Sequence, residues 1–186
     1  MFIIYAIILG IIIGYLIGGR LKNIAHRPLK YVWLAVSGFI IQIVIFSDIG
    51  SNINNTVIVI LHAVSYILIL SFVVLNRKDP GILLIGIGIM LNATVIFLNG
   101  GHMPASLESL EKTAIGRHSE ILSQGSTINN SVAITEDTLL PWLGDIFYIP
   151  SWIPFSNVFS IGDVFIAVGV CVYFILNMKT LNKCKN

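Results

Sequence analysis

The chain has 186 residues, of which 56% are hydrophobic and 11% charged, with a formal net charge of +2 and a mean hydropathy of +0.90. Such a composition lies far outside that of water-soluble domains and identifies an all-α membrane protein. No nucleic-acid partner is expected. The two cysteines, Cys171 and Cys184, form no spacing that implies a disulfide scaffold or a zinc site, so neither a metal nor a cofactor is expected.

A helix needs about 20 apolar residues to cross the hydrocarbon of a bilayer. Five runs approach that length, at residues 2–18, 31–47, 56–75, 81–98 and 159–178. The first carries Gly10, Gly14 and Gly18, one small residue every fourth position. That stripe predicts a close-packing seam, either inside the bundle or toward a second copy or a partner membrane protein. Because Arg20 follows this run and no basic segment precedes it, it reads as a retained anchor rather than a cleaved signal peptide.

The second run begins at Tyr31 and Trp33, aromatic residues suited to a membrane boundary, and contains Gln42. The third contains His62 and Ser65. In the fourth, Gly81, Gly88, Asn92 and Asn99 fall on one helical face. Asp163 stands near the start of the fifth. At 1.5 Å per residue, Gln42, His62, Asn92 and Asp163 all lie roughly 6 to 10 Å beneath the same boundary.

Orientation follows from the basic residues. Arg20, Lys22, Arg27, Lys30, Arg77, Lys78, Lys179, Lys183 and Lys185, nine of the eleven Lys and Arg, fall on one side if all five runs span. By the positive-inside rule that side is cytoplasmic. The amino terminus and the long connection 99–158 then face outward, and the carboxyl terminus is cytoplasmic. Residues 1–186 form a single multi-pass membrane domain with an extracytoplasmic cap at 99–158.

Within the cap, Asn99-Gly100-Gly101-His102-Met103-Pro104 ends the fourth run. Gly100 suits a left-handed helix terminus, and Pro104 prevents continuation. Asn99, the second glycine and His102 exceed what termination requires, so this segment is a candidate ligand lip. Ser106 is expected to cap a short helix carrying Leu107, Leu110 and Ala114. Residues 116–131 read as a loop without regular structure. From Leu139 to Phe159, six aromatic residues broken by Pro141, Pro150 and Pro154 predict a short interfacial helix and turns rather than a sixth span.

Three blocks, Asn99–Ser106, Leu139–Pro150 and Asn157–Gly169, together resemble a family of small bacterial membrane proteins catalogued as a domain of unknown function. The resemblance covers the cap and its flanking helices. It implies a bacterial plasma membrane and gives weight to Asn99, Gly100, Gly101, Pro104, Gly144, Asp145, Gly162 and Asp163. His102 sits at a variable place in that pattern.

The expected function is an outward-facing pocket for membrane lipid or a small hydrophobic ligand, built from Gln42, His62, Asn92, Asn99, Gly100, Gly101, His102, Asp145 and Asp163. Intramembrane Gln and Asn also serve as glue between helices, and Asp163 could be a helix cap. Two further functions compete. One is an enzyme acting on a lipid headgroup through His102, Asp145 and Asp163, although no hydrolase, zincin or phosphate-loop motif is present. The other is an accessory subunit of a membrane complex or transporter.

Overall fold

The computed structural model describes residues 2–26, 28–47, 50, 53–128 and 130–179. The chain is mostly helical. Five apolar helices carry the fold: α1 (Ile3–Leu16), α2 (Val32–Ile45), α3 (Asn55–Asn76), α4 (Ile82–Leu98) and, after the cap, α7 (Ile161–Met178). They match the five apolar runs, with α1 and α2 ending about half a turn inside the expected bounds. Two, α3 and α7, are long and apolar enough to cross a membrane; α1, α2 and α4 are shorter apolar helices. At 14 residues, α1 and α2 each reach about 21 Å.

The helices pack as a row. α1 lies against α7, α7 against α4, α4 against α3, and α3 against α2. Small residues set the close approaches. A side chain at Gly88 would meet the Gly162 carbonyl, and one at Gly38 would meet Ile69 and the Ser65 carbonyl. Gly10 and Gly14 face Cys171, Phe174 and Met178 of α7. The small-residue stripe of the first run is therefore used at these two positions inside the chain, while Gly18 faces open space.

These contacts also fix direction. Phe2 stacks on Phe159 at 4.3 Å, so α1 and α7 start at the same end. Asn92 meets Ser160, and Phe46 meets His62, so α4 and α2 finish there while α3 begins there. At the opposite end, Lys30 N–H donates to Asn76 Oδ1 (2.7 Å) and Arg20 N–H to the Met178 carbonyl (2.8 Å). Arg77, Lys78 and Lys179 belong to this same end.

The distribution of polarity is inverted relative to a soluble bundle. His62, Ser65, Asn76 and Asn177 are buried, whereas Ile43 is 68% and Ile67 63% exposed. Ile12, Leu16, Phe39, Ile60, Leu83 and Met90 add to a continuous apolar exterior. Water disfavours such a surface by roughly 25 cal/mol for each Å² of apolar area.

The cap is ordered around a small core of Ala105, Leu110 and Leu122. Strand β1 (Met103–Ala105) pairs in parallel with β2 (Ser131–Ala133) and bridges Asp145 on its other side. Pro104 tolerates this place because its carbonyl, which needs no N–H of its own, accepts from Asp145 N (2.8 Å). Two short helices follow β1, α5 (Leu107–Glu111) and α6 (Arg117–Ser123), the first capped by Ser106 as expected. The expectation that 116–131 lacks regular structure fails: α6 buries Ser119 and Leu122, and Ser131 opens β2. A leucine placed to fill the cap core outweighs the glycines and asparagines around it.

The aromatic segment forms a 3-10 turn (Pro141–Leu143) and a hairpin of β3 (Phe147–Tyr148) with β4 (Val158–Phe159). The expected interfacial helix is reduced to this 3-10 turn, and a hairpin stands where turns alone were expected. Trp142 and Trp152 are exposed, and Tyr5 of α1 donates its hydroxyl to the Pro154 carbonyl beneath them.

Candidate functional site

The three sequence blocks converge where the cap-side ends of α3, α4 and α7 meet the cap. Asn99 ties the first block to the second. Its Nδ2 donates to the carbonyls of Val95 (2.8 Å) and Leu139 (2.9 Å), while its Oδ1 accepts from Leu139 N (2.9 Å). A helix-terminal asparagine thus replaces the backbone partners that a strand would provide. Gly100 and Gly101 adopt left-handed φ of +70° and +91°, turning the chain from α4 into β1. Gly101 also packs under Val59, leaving no room for a side chain.

The third block closes a second set of bonds. Ser160 and Asp163 form a capping box at the start of α7. Asp163 Oδ2 accepts from Ser160 N (3.0 Å), and Oδ1 accepts from Asn92 Nδ2 (3.0 Å). Ser160 Oγ donates to Asn92 Oδ1 (2.8 Å). Both carboxylate oxygens of Asp163 are engaged, which makes Asp163 and Asn92 a helix-capping and helix-joining unit.

Gln42 and His62 form a separate group on α2 and α3. Gln42 Nε2 donates to Ser65 Oγ (2.5 Å), which donates to the His62 carbonyl (2.8 Å). His62 Nε2 is 2.8 Å from Asn130 Nδ2, and that amide also donates to the Gly101 carbonyl (2.6 Å). Asn130 therefore pins the cap to α3. His102 interacts with Asn130 too, and burial holds its pKa below the ordinary imidazole value against that pull. It is neutral near pH 7.

Gln42, His62, Asn92 and Asp163 thus divide into two pairs rather than one ring. Between them stands Tyr66, which stacks on His62 (6.1 Å), meets Phe97 edge-on (5.8 Å) and lies within electrostatic reach of both Asp145 and Asp163. Neither Tyr66 nor Asn130 stood out in the sequence. A tyrosine one turn beyond His62 on the same face was the legible signal for the first; Asn130, in a glycine- and asparagine-rich stretch, offered none.

Asp145 differs from Asp163. Its backbone is held at both ends, N–H to Pro104 and carbonyl to Ser106 N (3.0 Å), but its carboxyl makes no hydrogen bond to any described residue. Burial, then the charge of Asp163, pushes its pKa up to about 8. It lines a cleft of about 470 Å³ within the cap, with Leu110, Ile115 and Ile128 beside the polar His118, Ser131, Ser156 and Asn157, and Phe46 at the end of α2. Among the described residues, no group of three His, Cys, Asp or Glu is placed to hold a metal ion.

The raised value has a consequence for stability. The folded state holds the Asp145 proton more tightly than the unfolded chain, whose carboxyl titrates near 3.9. Its favourable contribution is full below about pH 4 and is lost as the pH rises through 8. Thermal unfolding of the purified protein from pH 4 to 9 is expected to show this decline, and Asp145→Asn to flatten it. One proton limits the slope between these two values to about 1.4 kcal/mol per pH unit.

A family model for DUF5317, a family of unknown function, matches residues 26–175. The chain belongs to this family. It is also 27% identical over 163 residues to an uncharacterized protein of Thermotoga maritima, covering 87% of this chain and 83% of that one. No solved structure matches the chain. The DUF5317 match takes in α2 to α7 and the entire cap, so the clamps at Asn99, Asn130 and Asp163 all lie within the family region.

Proposed function

We propose that this DUF5317 protein is a five-span protein of the bacterial plasma membrane, amino terminus outside, that binds a small amphiphilic molecule in the cleft of its outward cap. The five apolar helices alternate in direction along the chain, with α1, α3 and α7 starting at the cap end. Odd-numbered crossings joined through basic connections on one side, and an acidic cap on the other, support that orientation. The apolar exterior and buried polar interior support immersion in lipid. Short α1 and α2 are accommodated by local thinning of the bilayer.

The observation that carries the binding reading is the Asp145 carboxyl: rigidly placed, half-buried, on the wall of a mostly apolar cleft and without a hydrogen bond to a described residue. A cleft that joins apolar walls to convergent polar groups, here His118, Ser131, Asp145, Ser156 and Asn157, suits a small amphiphile. An enzyme using His102, Asp145 and Asp163 together finds less support, because the Asp163 carboxylate is consumed by the Ser160 backbone and Asn92.

Native mass spectrometry of the full chain released from bacterial membranes tests this reading. The wild type is expected to retain a small-molecule adduct that is lost on Asp145→Leu and on Ile115→Trp, which fills the cleft. An adduct pattern unchanged by either substitution overturns it.

A further inference from the structure

Among the described residues, two buried side-chain atoms have no hydrogen-bond partner, Nδ1 of His62 and Nδ1 of His102. The tautomer of His62 follows from its neighbours. The Gly101 carbonyl, an obligate acceptor, fixes which end of the Asn130 amide is the NH2 group. That same Nδ2 faces His62 Nε2, so Nε2 accepts and the proton of the neutral ring sits on Nδ1. His62 is completely buried, and a buried N–H left without an acceptor costs about 1 to 3 kcal/mol. Asn130 is committed to this arrangement: it holds φ +66°, and its carbonyl accepts from Met103 N (2.9 Å).

The surroundings narrow what can meet this donor. A protonated Nδ1 cannot ligate a metal. The walls are aromatic, with Tyr66 stacked on the imidazole and Phe46 edge-on at 5.9 Å, so an ion would be poorly solvated. Phe46 also lines the 470 Å³ cleft, touching His62 on one side and the open volume on the other. Phe46 is thus the described side chain that stands between the cleft and the imidazole. His102 stands within electrostatic reach of His62 and presents a second unpartnered Nδ1.

We propose that His62 Nδ1–H is the hydrogen-bond donor for a carbonyl oxygen of an apolar molecule that enters from the cleft past Phe46. This inference rests on the cleft being a binding site and adds the chemical class of its occupant. The carbonyl has two available sources, the acyl ester of a membrane lipid and a free carbonyl carrier of the quinone type.

The test uses the full chain with 15N-labelled histidine in nanodiscs, observing the His62 imidazole by long-range 1H–15N correlation. The His62 proton is expected on Nδ1. If the Nδ1–H signal moves when ester-linked phosphatidylcholine is replaced by its ether-linked analogue, the source is lipid. If it moves only when a 1,4-naphthoquinone is added to ether-lipid discs, the source is a free carrier. A signal that responds to neither, or a proton found on Nε2, overturns the inference. Should Ile115→Trp still strip the native adduct while His62 stays silent, the cleft reading stands and the carbonyl assignment alone falls.

Discussion

Gly88→Leu is expected to force α4 away from α7 and to lower stability by about 3 kcal/mol or more, the upper end of what overpacking costs. A β-carbon at residue 88 would lie 2.3 Å from the Gly162 carbonyl and 2.9 Å from Ile166 N. Both are backbone atoms, so no rotamer change relieves the clash and an entire helix has to move. The displacement would also part Asn92 from Ser160 and Asp163, one turn further along the same seam. Thermal unfolding in mild detergent, followed by size-exclusion chromatography, measures the loss. Gly100→Ala is the control: its left-handed φ of +70° carries about 1 to 2 kcal/mol of strain, but nothing lies within 4 Å of the added methyl. An unfolding temperature for Gly88→Leu no lower than that of Gly100→Ala would refute the close α4 to α7 approach.

Asp163→Leu should rank next, at about 2 to 4 kcal/mol, since it leaves both the Ser160 N–H and the Asn92 amide without their acceptor while removing the capping carboxylate. Asp163→Asn retains one acceptor oxygen of the same shape and is expected to lose about 1 kcal/mol. Asp145→Leu, by contrast, breaks no hydrogen bond to a described residue and replaces a carboxyl whose burial favours its neutral form. Unfolding temperatures should therefore fall for residue 163 and change little for residue 145, whereas adduct retention should respond to residue 145. The reverse ranking would mean that the capping unit and the cleft wall have been assigned to the wrong carboxyls.

The helices were legible because lipid solubility is written residue by residue: a run either is apolar for long enough or is not. Ser106, Gly100 and the prolines of 139–159 were legible for a similar reason, since caps and breaks depend on the backbone chemistry of one or two residues. Gln42, His62, Asn92 and Asp163 could be placed at a common depth by counting. Their partners could not, because depth along an axis says nothing about rotation around it or about which helix stands beside which.

Helix order and packing decided the rest. With α7 inserted between α1 and α4, the Asp163 cap also finds Asn92, while Gln42 reaches Ser65 and His62 reaches the cap residue Asn130. Gly10 and Gly14 find α7 of their own chain in the same way. Tyr66 acquires its place between the two pairs only when α3 and α4 are set side by side. Composition and period are local properties of a chain, and they were enough for five apolar helices and a polar connection, but not for the helices and strands within that connection. A hydrogen bond between residues 71 apart depends on which faces turn toward each other, and that is a property of packing alone.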